Sequence, residues 1–367
     1  MDTHKKQDKF LGCLIGGAAG DALGYAVEFD SLKQIYSVYG KGGIREYSLE
    51  GSKALISDDT QMTLFTANGL LHGFAREVKS GVKCDYPAAV WSAYRDWLKT
   101  QCGTGKVSDK RSAWLLNMRE LHSSRAPGST CLSALSGNTG GSVKNPVNDS
   151  KGCGGVMRVA PIGLFFIGDK DYDRYKIDMI GAEAAALTHG HDLGYIPAAA
   201  LTDIIYNIAS EQANNLKDAV VGSLEAVKTL FPNAVHLNEF TDIINLAIKL
   251  SSSRQPDTEA IMQLGEGWVG EEALAIAVYC ALKYSDSFEK AIIASVNHSG
   301  DSDSTGAITG NILGAYLGLK NIPEKFITKL EMKPIIHEIA VDLSVRYSDD
   351  EKWKSKYIDC DFVLNAR

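Results

Sequence analysis

Two short acidic stretches lie far apart in this chain: Ser57-Asp58-Asp59-Thr60 and Asp301-Ser302-Asp303-Ser304-Thr305. Each is followed by an apolar run, so each sets carboxylates in the first turn of a helix. Acids there cap the helix and complement its dipole. The neighbouring hydroxyls supply more oxygens than capping uses. Brought together, Asp58, Asp59, Asp301 and Asp303 would repel one another unless cations neutralised them. Carboxylate and hydroxyl oxygens suit Mg²⁺, Mn²⁺ or Ca²⁺ rather than zinc. Two such ions bridged by shared carboxylates would make a dinuclear centre.

Three further stretches carry chemistry. Glu28 stands between Val27 and Phe29 after a glycine-rich turn. An apolar setting raises a carboxylate's proton affinity and suits it to general acid or base work. Asp21, a little earlier, reads as a helix cap. In "NDSKGCGGVMRVAPIG" (148–163), Gly152, Gly154 and Gly155 would let successive N–H groups point one way as an anion nest. No Gly-Lys-Ser/Thr follows, which excludes a phosphate loop of the NTPase kind, and "CGTGKVS" (102–108) fails the same test. His189 and His191 form a His-x-His pair. With no cysteine or third histidine at ligand spacing, His189 reads as a polar contact to a ligand or to the core rather than a zinc ligand.

The elements that must position these groups are helical. Apolar residues recur at i, i+3 and i+4 over 88–99, 181–187, 198–209, 217–230, 241–252, 271–284 and 288–296. Alternating strands are hard to find, and 40–51 reads as a loop or short hairpin. Polar connectors such as "SSSRQPDTE" and "NNLK" separate the helices, and 123–156 reads as a long irregular loop of the functional kind. Glycine recurs every fourth place at Gly12, Gly16, Gly20 and Gly24, and again at Gly306, Gly310, Gly314 and Gly318. Each helix-interior glycine costs about 1 kcal/mol against alanine. Two such ridges imply buried helices that approach closely, and crossing near each other would join their ends in one locality.

The bulk composition narrows the function classes. The chain has 367 residues, 45% hydrophobic and 23% charged, with net charge −7. One large domain over residues 1–367 is expected, without a basic footprint for nucleic acid. Seven scattered cysteines, Cys13, Cys84, Cys102, Cys131, Cys153, Cys280 and Cys360, show no Cys-x-x-Cys pattern. That points to free thiols in a reducing, cytoplasmic setting. Lys5, Lys6 and Lys9 before "FLGCLIGGAAGDALGYAV" imitate a secretory signal, but a glycine ridge broken by Asp21 argues for a core helix. No partnership with a membrane is expected.

Taken in order, "GCLIGGAAGDALGYAVEF", "SDDTQMT", "GCGGVMRVAPIGL", "LTHGH", "GWVGEEALAIAVYCAL" and "HSGDSDSTGAITGNILGAYLG" resemble the ADP-ribosylglycohydrolase family. The likeness runs over about residues 10–320. It implies an all-α fold, a single orthogonal multi-helix bundle around a cleft with two Mg²⁺ or Mn²⁺ ions. It implies Ser57, Asp58 and Asp59 as one ligand triplet, and Asp301, Asp303 and Ser304 as the other, ahead of Thr305. It implies catalytic roles for Glu28, Asp59 and Asp303. Gly152, Gly154, Gly155, Val156 and Met157 would hold the diphosphate and distal ribose, and His189 would contact the ligand.

The implied activity is removal of ADP-ribose from modified protein side chains, with free ADP-ribose as product and arginine as the first linkage. Segment 101–124 lacks the Phe-Asp-Ile-Gly stretch of the nitrogenase-linked members, where an acid meets the target arginine; Asp109 and Glu120 are the candidates here. Serine-linked ADP-ribose and O-acetyl-ADP-ribose are alternative substrates. Other readings are a non-catalytic member, an immunity protein against a cognate ADP-ribosylating toxin, and a dinuclear phosphoesterase. The toxin reading would want an N-terminal arm, and only about nine residues are expected ahead of the first helix.

Overall fold

The computed structural model describes residues 2–102 and 111–359. Asp109, Cys360 and most of "CGTGKVS" lie outside the described residues. Within them the chain forms α1 Thr3–Gly24, α2 Leu32–Tyr39, α3 Asp58–Ser80, α4 Tyr86–Cys102, α5 Ser129–Ser136, α6 Ala160–Phe165, α7 Arg174–Ala186 and α8 Asp192–Ala209. Then follow α9 Leu216–Leu230, α10 Leu237–Ser251, α11 Asp257–Leu264, α12 Gly270–Lys283, α13 Phe288–Val296, α14 Ser302–Leu317, α15 Lys333–Val345 and α16 Glu351–Tyr357. Among the described residues there is no strand, only isolated bridges such as Gly152 with Val269. The fold is all-α, as the periodicity predicts.

All seven helices expected from periodicity are present, and the differences have local causes. Helix α1 begins at Thr3, not after Lys9, because its first turns are polar and exposed and carry no apolar signal. Helix α8 starts at Asp192, ahead of the expected 198; Gly194 and Pro197 read as breakers but lie within it. The expected loop 123–156 contains α5, a short Ser- and Thr-rich helix that buries Cys131 and Leu135. The connector "SSSRQPDTE" supplies the first turn of α11. Segment 40–51 is a loop, closed by a bridge between Glu50 and Lys53.

The two glycine ridges meet. Gly12, Gly16 and Gly20 of α1 face Gly314, Gly310 and Gly306 of α14, so the helices run antiparallel, backbone against backbone. A Cβ added at any of these six would overlap the carbonyl oxygen of the glycine it faces. Asn311 seals the seam by donating from Nδ2 to Cys13 O at 2.9 Å. The antiparallel crossing carries the C-terminal end of α1, with Asp21, to the N-terminal end of α14, with Asp303. Helix α15 packs on both α1 and α3, which gives residues 333–345 a role in the core. Residues Lys9–Gly24 of α1 are buried throughout, as expected of a core helix.

Candidate active site

The acidic centre is assembled at three helix ends. Asp21 is wholly buried, and its carboxylate accepts from Ser57 N (3.0 Å) and Thr60 N (3.1 Å), and from the Thr60 hydroxyl. It therefore holds the N-terminus of α3 against α1 and is not a cap of its own helix. The sequence reading missed this. The signal was present as a lone acid set inside a glycine ridge. An Asp21→Ala variant, leaving those N–H groups without their acceptor, is expected to lose about 1–3 kcal/mol of stability in urea denaturation.

Ser57 caps α3 by accepting from Asp59 N at 3.2 Å. Asp58 is clasped by the loop before α5: its N–H donates to Arg125 O (3.1 Å), and Gly128 N donates to its Oδ2 (3.3 Å). At α14, Asp301 caps the helix, and Ser304 N donates to Asp303 Oδ1 at 2.9 Å. Asp301 N is fixed by Glu266 O at 2.8 Å, and Cys153 Sγ lies 2.7 Å from Asp301 Oδ2. Thr305 Oγ1 points away from the centre, bonding Ser295 O and Asp301 O at 2.7 and 2.8 Å, whereas the Ser304 hydroxyl turns to Met157 Sδ at 3.9 Å.

Six carboxylates, Asp21, Glu28, Asp58, Asp59, Asp301 and Asp303, are thereby buried together. Ligand oxygens of Glu28, Asp301 and Asp303 lie within 4.8 Å of one another. Among the described residues none of the six is in an ion pair; Arg125, on the loop that crosses Asp58, is committed to Glu331 at 3.4 Å. Burial, and then the charge of Asp303, push the proton affinities of Asp58, Asp59 and Asp301 well above the carboxylate range. The same causes push Asp21 to about 7 and Glu28 to about 10. Asp59 Oδ2 and Glu28 Oε2 are buried with no hydrogen-bond partner. Uncompensated buried anions are costly, and hard divalent cations are what this donor set fits.

The glycine loop lies beside this centre. Its 3-10 turn, Cys153–Gly155, is pinned by Cys153 N donating to Trp268 O at 3.1 Å. Val156 N and Met157 N both turn back to Cys153 O, and Gly152 N to Ser150 Oγ. The nest is thus narrower than the sequence suggests, since several of its N–H groups are engaged within the loop. The His189 ring lies under it: a Cβ at Gly154 would come 3.1 Å from His189 Cε1 and 3.0 Å from Cys131 Sγ, so a side chain there would press both groups back by a few tenths of an ångström.

Arg158, just after the loop, does not face a ligand. It is fully buried, stacks on Tyr94 at 4.4 Å, and donates to Thr188 Oγ1 at 2.6 Å. Thr188 Oγ1 accepts from that guanidinium, lies 2.8 Å from His189 Nδ1, and donates to Ala185 O at 3.5 Å. His189 Nε2 faces the loop at Gly152 and Gly154. Burial and then Arg158 push its pKa down to about 3, so the ring stays neutral. His191 instead caps α8 and stacks on His236 (4.6 Å), both beside Asp192. A third histidine therefore does stand near, a neighbour that sequence spacing did not reveal. Glu120 is exposed and pairs with Lys53 at 3.8 Å. A cavity of about 990 Å³, lined by Arg76, Lys83, Arg95 and Arg111 among others, lies between α3 and α4; no residue of the acidic centre lines it.

Comparison with known proteins bears on the family and the fold. The family model described as ADP-ribosylglycohydrolase matches residues 2–352. An uncharacterized protein of Archaeoglobus fulgidus is 27% identical over 352 residues, covering 92% of this chain and 96% of that one. The mouse ADP-ribosylhydrolase ARH3 is 23% identical, with 87% and 86% covered. The ADP-ribosyl-[dinitrogen reductase] glycohydrolase of Rhodospirillum rubrum is 23% identical, with 91% and 94% covered. A solved structure titled ADP-ribosylglycohydrolase-related protein complex shares the fold, with a TM-score of 0.57 at 21% identity over 94% of this chain and 99% of that one. Acids gathered at three helix ends around a glycine seam, in a chain matched almost throughout by that family model, identify it as a member of the ADP-ribosylglycohydrolase family.

Proposed function

We propose that this protein is a divalent-cation-dependent hydrolase that removes ADP-ribose from modified protein side chains, cutting the N-glycosidic bond to arginine. The observation that supports it most is the set of six buried carboxylates with no ion-pair partner among the described residues, with Asp59 Oδ2 and Glu28 Oε2 lacking a hydrogen-bond partner there. Ser57, Asp58, Asp59, Asp301, Asp303 and Ser304 would hold two Mg²⁺ or Mn²⁺ ions. Such ions supply Lewis-acid grip on the vicinal hydroxyls of a ribose. The reading treats residues 1–367 as one domain, because α1 and α14, from opposite ends of the chain, build one centre.

Cleaving a glycosidic bond builds positive charge at the anomeric carbon. The anionic wall of Asp59 and Asp303 stabilises that charge. Glu28, with its raised proton affinity, moves the proton between its Oε2 and the leaving atom or the attacking water. The loop of Gly152, Gly154, Gly155, Val156 and Met157 walls the diphosphate and distal ribose, with the N–H groups of Gly152, Val156 and Met157 spent within the loop itself, and His189 Nε2 faces it. Binding remote from the reacting carbon orients it.

Incubation with ADP-ribosylarginine and ADP-ribosylserine peptides, with Mg²⁺, Mn²⁺ or EDTA, tests the proposal. Free ADP-ribose is expected only when a divalent cation is present. Release of AMP would mark a phosphoesterase, and full activity in EDTA would refute the centre's role. Glu28→Gln is expected to lower kcat by about 100-fold while KM changes little.

A further inference from the structure

Outside the acidic centre, two histidines share one carboxylate. His191 caps the N-terminus of α8 and His236 stands at that of α10. Asp192, the first residue of α8, lies 44 positions before His236 and meets both. The rings are tilted by 33° with centroids 4.6 Å apart. His191 Nδ1 lies 3.0 Å and His236 Nδ1 2.8 Å from the same atom, Asp192 Oδ1. Ligand atoms of the three side chains fall within 4.8 Å of one another. No lysine or arginine among the described residues pairs with Asp192.

Hydrogen bonds account for part of this arrangement. Asp192 Oδ2 accepts from His236 N at 2.9 Å. His191 Nδ1 accepts from Leu193 N at 3.0 Å, so in the neutral ring it has no proton for the oxygen it faces. Leu193 N also reaches Asp192 Oδ1, at 2.9 Å, so one N–H is divided between two lone pairs that face each other. Facing acceptors repel, and a cation between them relieves the repulsion. The backbone holds the groups in place. His191 N donates to Ser150 O at 3.3 Å, Gly194 N to His191 O at 2.8 Å, and Phe240 N to His236 O at 3.0 Å. The side chains of His191, Asp192 and His236 are 16%, 11% and 38% exposed, so an ion can enter from solvent and keep a water as its fourth ligand.

From this geometry we infer that His191, Asp192 and His236 form a second metal site, which takes one Zn²⁺ ion and pins the start of α10 to the start of α8. The inference stands apart from the glycohydrolase reading, because the proposed reaction uses none of the three side chains. Imidazole nitrogens suit Zn²⁺, whereas the all-oxygen donor set of the acidic centre suits Mg²⁺ or Mn²⁺, so the two sites sort metals by donor type. A tetrahedral zinc with bonds of about 2.0–2.2 Å sets its ligand atoms roughly 3.3–3.5 Å apart. The separations at Asp192 Oδ1 therefore need to open by about half an ångström. His236 binds through Nδ1 and carries its proton on Nε2, a change of tautomer that releases no proton. Leu193 N keeps its bond to Asp192 when His191 Nδ1 turns to the ion.

The test titrates Zn²⁺ into the full-length, EDTA-treated protein by calorimetry at neutral pH, with Mg²⁺ in large excess to occupy the acidic centre. One zinc ion per chain is expected to bind. His236→Asn keeps an N–H where Nδ1 stands and supplies no ligand. It is expected to weaken zinc binding by at least about 100-fold, since losing a ligand costs more than losing a group behind one. Asp303→Asn should bind this zinc as the parent does. Zinc should raise the melting temperature of the parent and leave that of His236→Asn unchanged. Circular dichroism shows whether the variant is folded. Electron paramagnetic resonance of Cu²⁺ bound to the parent needs no variant, and should show coupling to two imidazole nitrogens. The inference is overturned if no zinc binds in excess Mg²⁺, or if folded His236→Asn binds it as tightly as the parent. Zinc lost in Asp303→Asn would place the ion in the acidic centre and overturn it too, as would copper coupled to fewer than two nitrogens. Each of these results would leave His191, Asp192 and His236 as a hydrogen-bonded cluster, with the glycohydrolase reading untouched.

Discussion

An Asp303→Asn variant is expected to lose turnover by about 10³-fold or more and, without divalent cations, to melt at a higher temperature than the parent protein. The two effects share a cause. Asp303 appears as a source of raised proton affinity at Asp21, Glu28, Asp58, Asp59 and Asp301. Removing its charge relieves repulsion among buried anions, a gain on the order of 1–2 kcal/mol in EDTA. The same removal would take a ligand from the proposed cation pair. Added Mn²⁺ should therefore raise the parent's melting temperature far more than the variant's. Calorimetric Mn²⁺ titration and melting curves with and without EDTA measure both signs. A variant that keeps its turnover, or that melts lower in EDTA, would show that Asp303 is an ordinary helix-terminal acid.

A Gly310→Ala variant is expected to be destabilised by about 3 kcal/mol or more, against the intrinsic preference of helices for alanine. Its Cβ would overlap Gly16 O, and both partners are backbone, so neither can rotate aside. The helices must separate, and with them the ends that carry Asp21 and Asp303. Mn²⁺ affinity should fall too, although Gly310 is two turns from the carboxylates. Gly222 of α9 is the control, since its added Cβ meets only Arg174 Nη2, at 3.2 Å. There alanine should be neutral or stabilising by up to about 1 kcal/mol. Urea midpoints for the two variants measure the contrast. Equal midpoints would mean that the ridge is not under the strain the geometry implies.

These expectations separate what is local from what is not. The helices around 88–99, 217–230 and 271–284 were legible because an apolar stripe repeats within every turn. The segments that escaped include Ser129–Ser136 and Glu351–Tyr357, helices of one or two turns whose polar residues give no stripe, and also Leu32–Tyr39, Ala160–Phe165, Asp257–Leu264 and Lys333–Val345. Asp58, Asp59, Asp301 and Asp303 were legible as two similar devices, because acid and hydroxyl residues before an apolar run carry a meaning at short range. The glycine ridges announced a close helix contact for the same reason.

Tertiary structure alone decided what each polar group faces. Asp21 reads as a cap, yet it holds another helix; Arg158 follows a phosphate-like loop, yet it lies inside the core under Thr188 and Tyr94. A carboxylate or guanidinium has the same letter in water and in a core. Its charge state and partners depend on which distant elements close around it. That closure is set by the α1–α14 crossing, a contact between residues some three hundred positions apart, and no periodicity in either helix states where the other will lie.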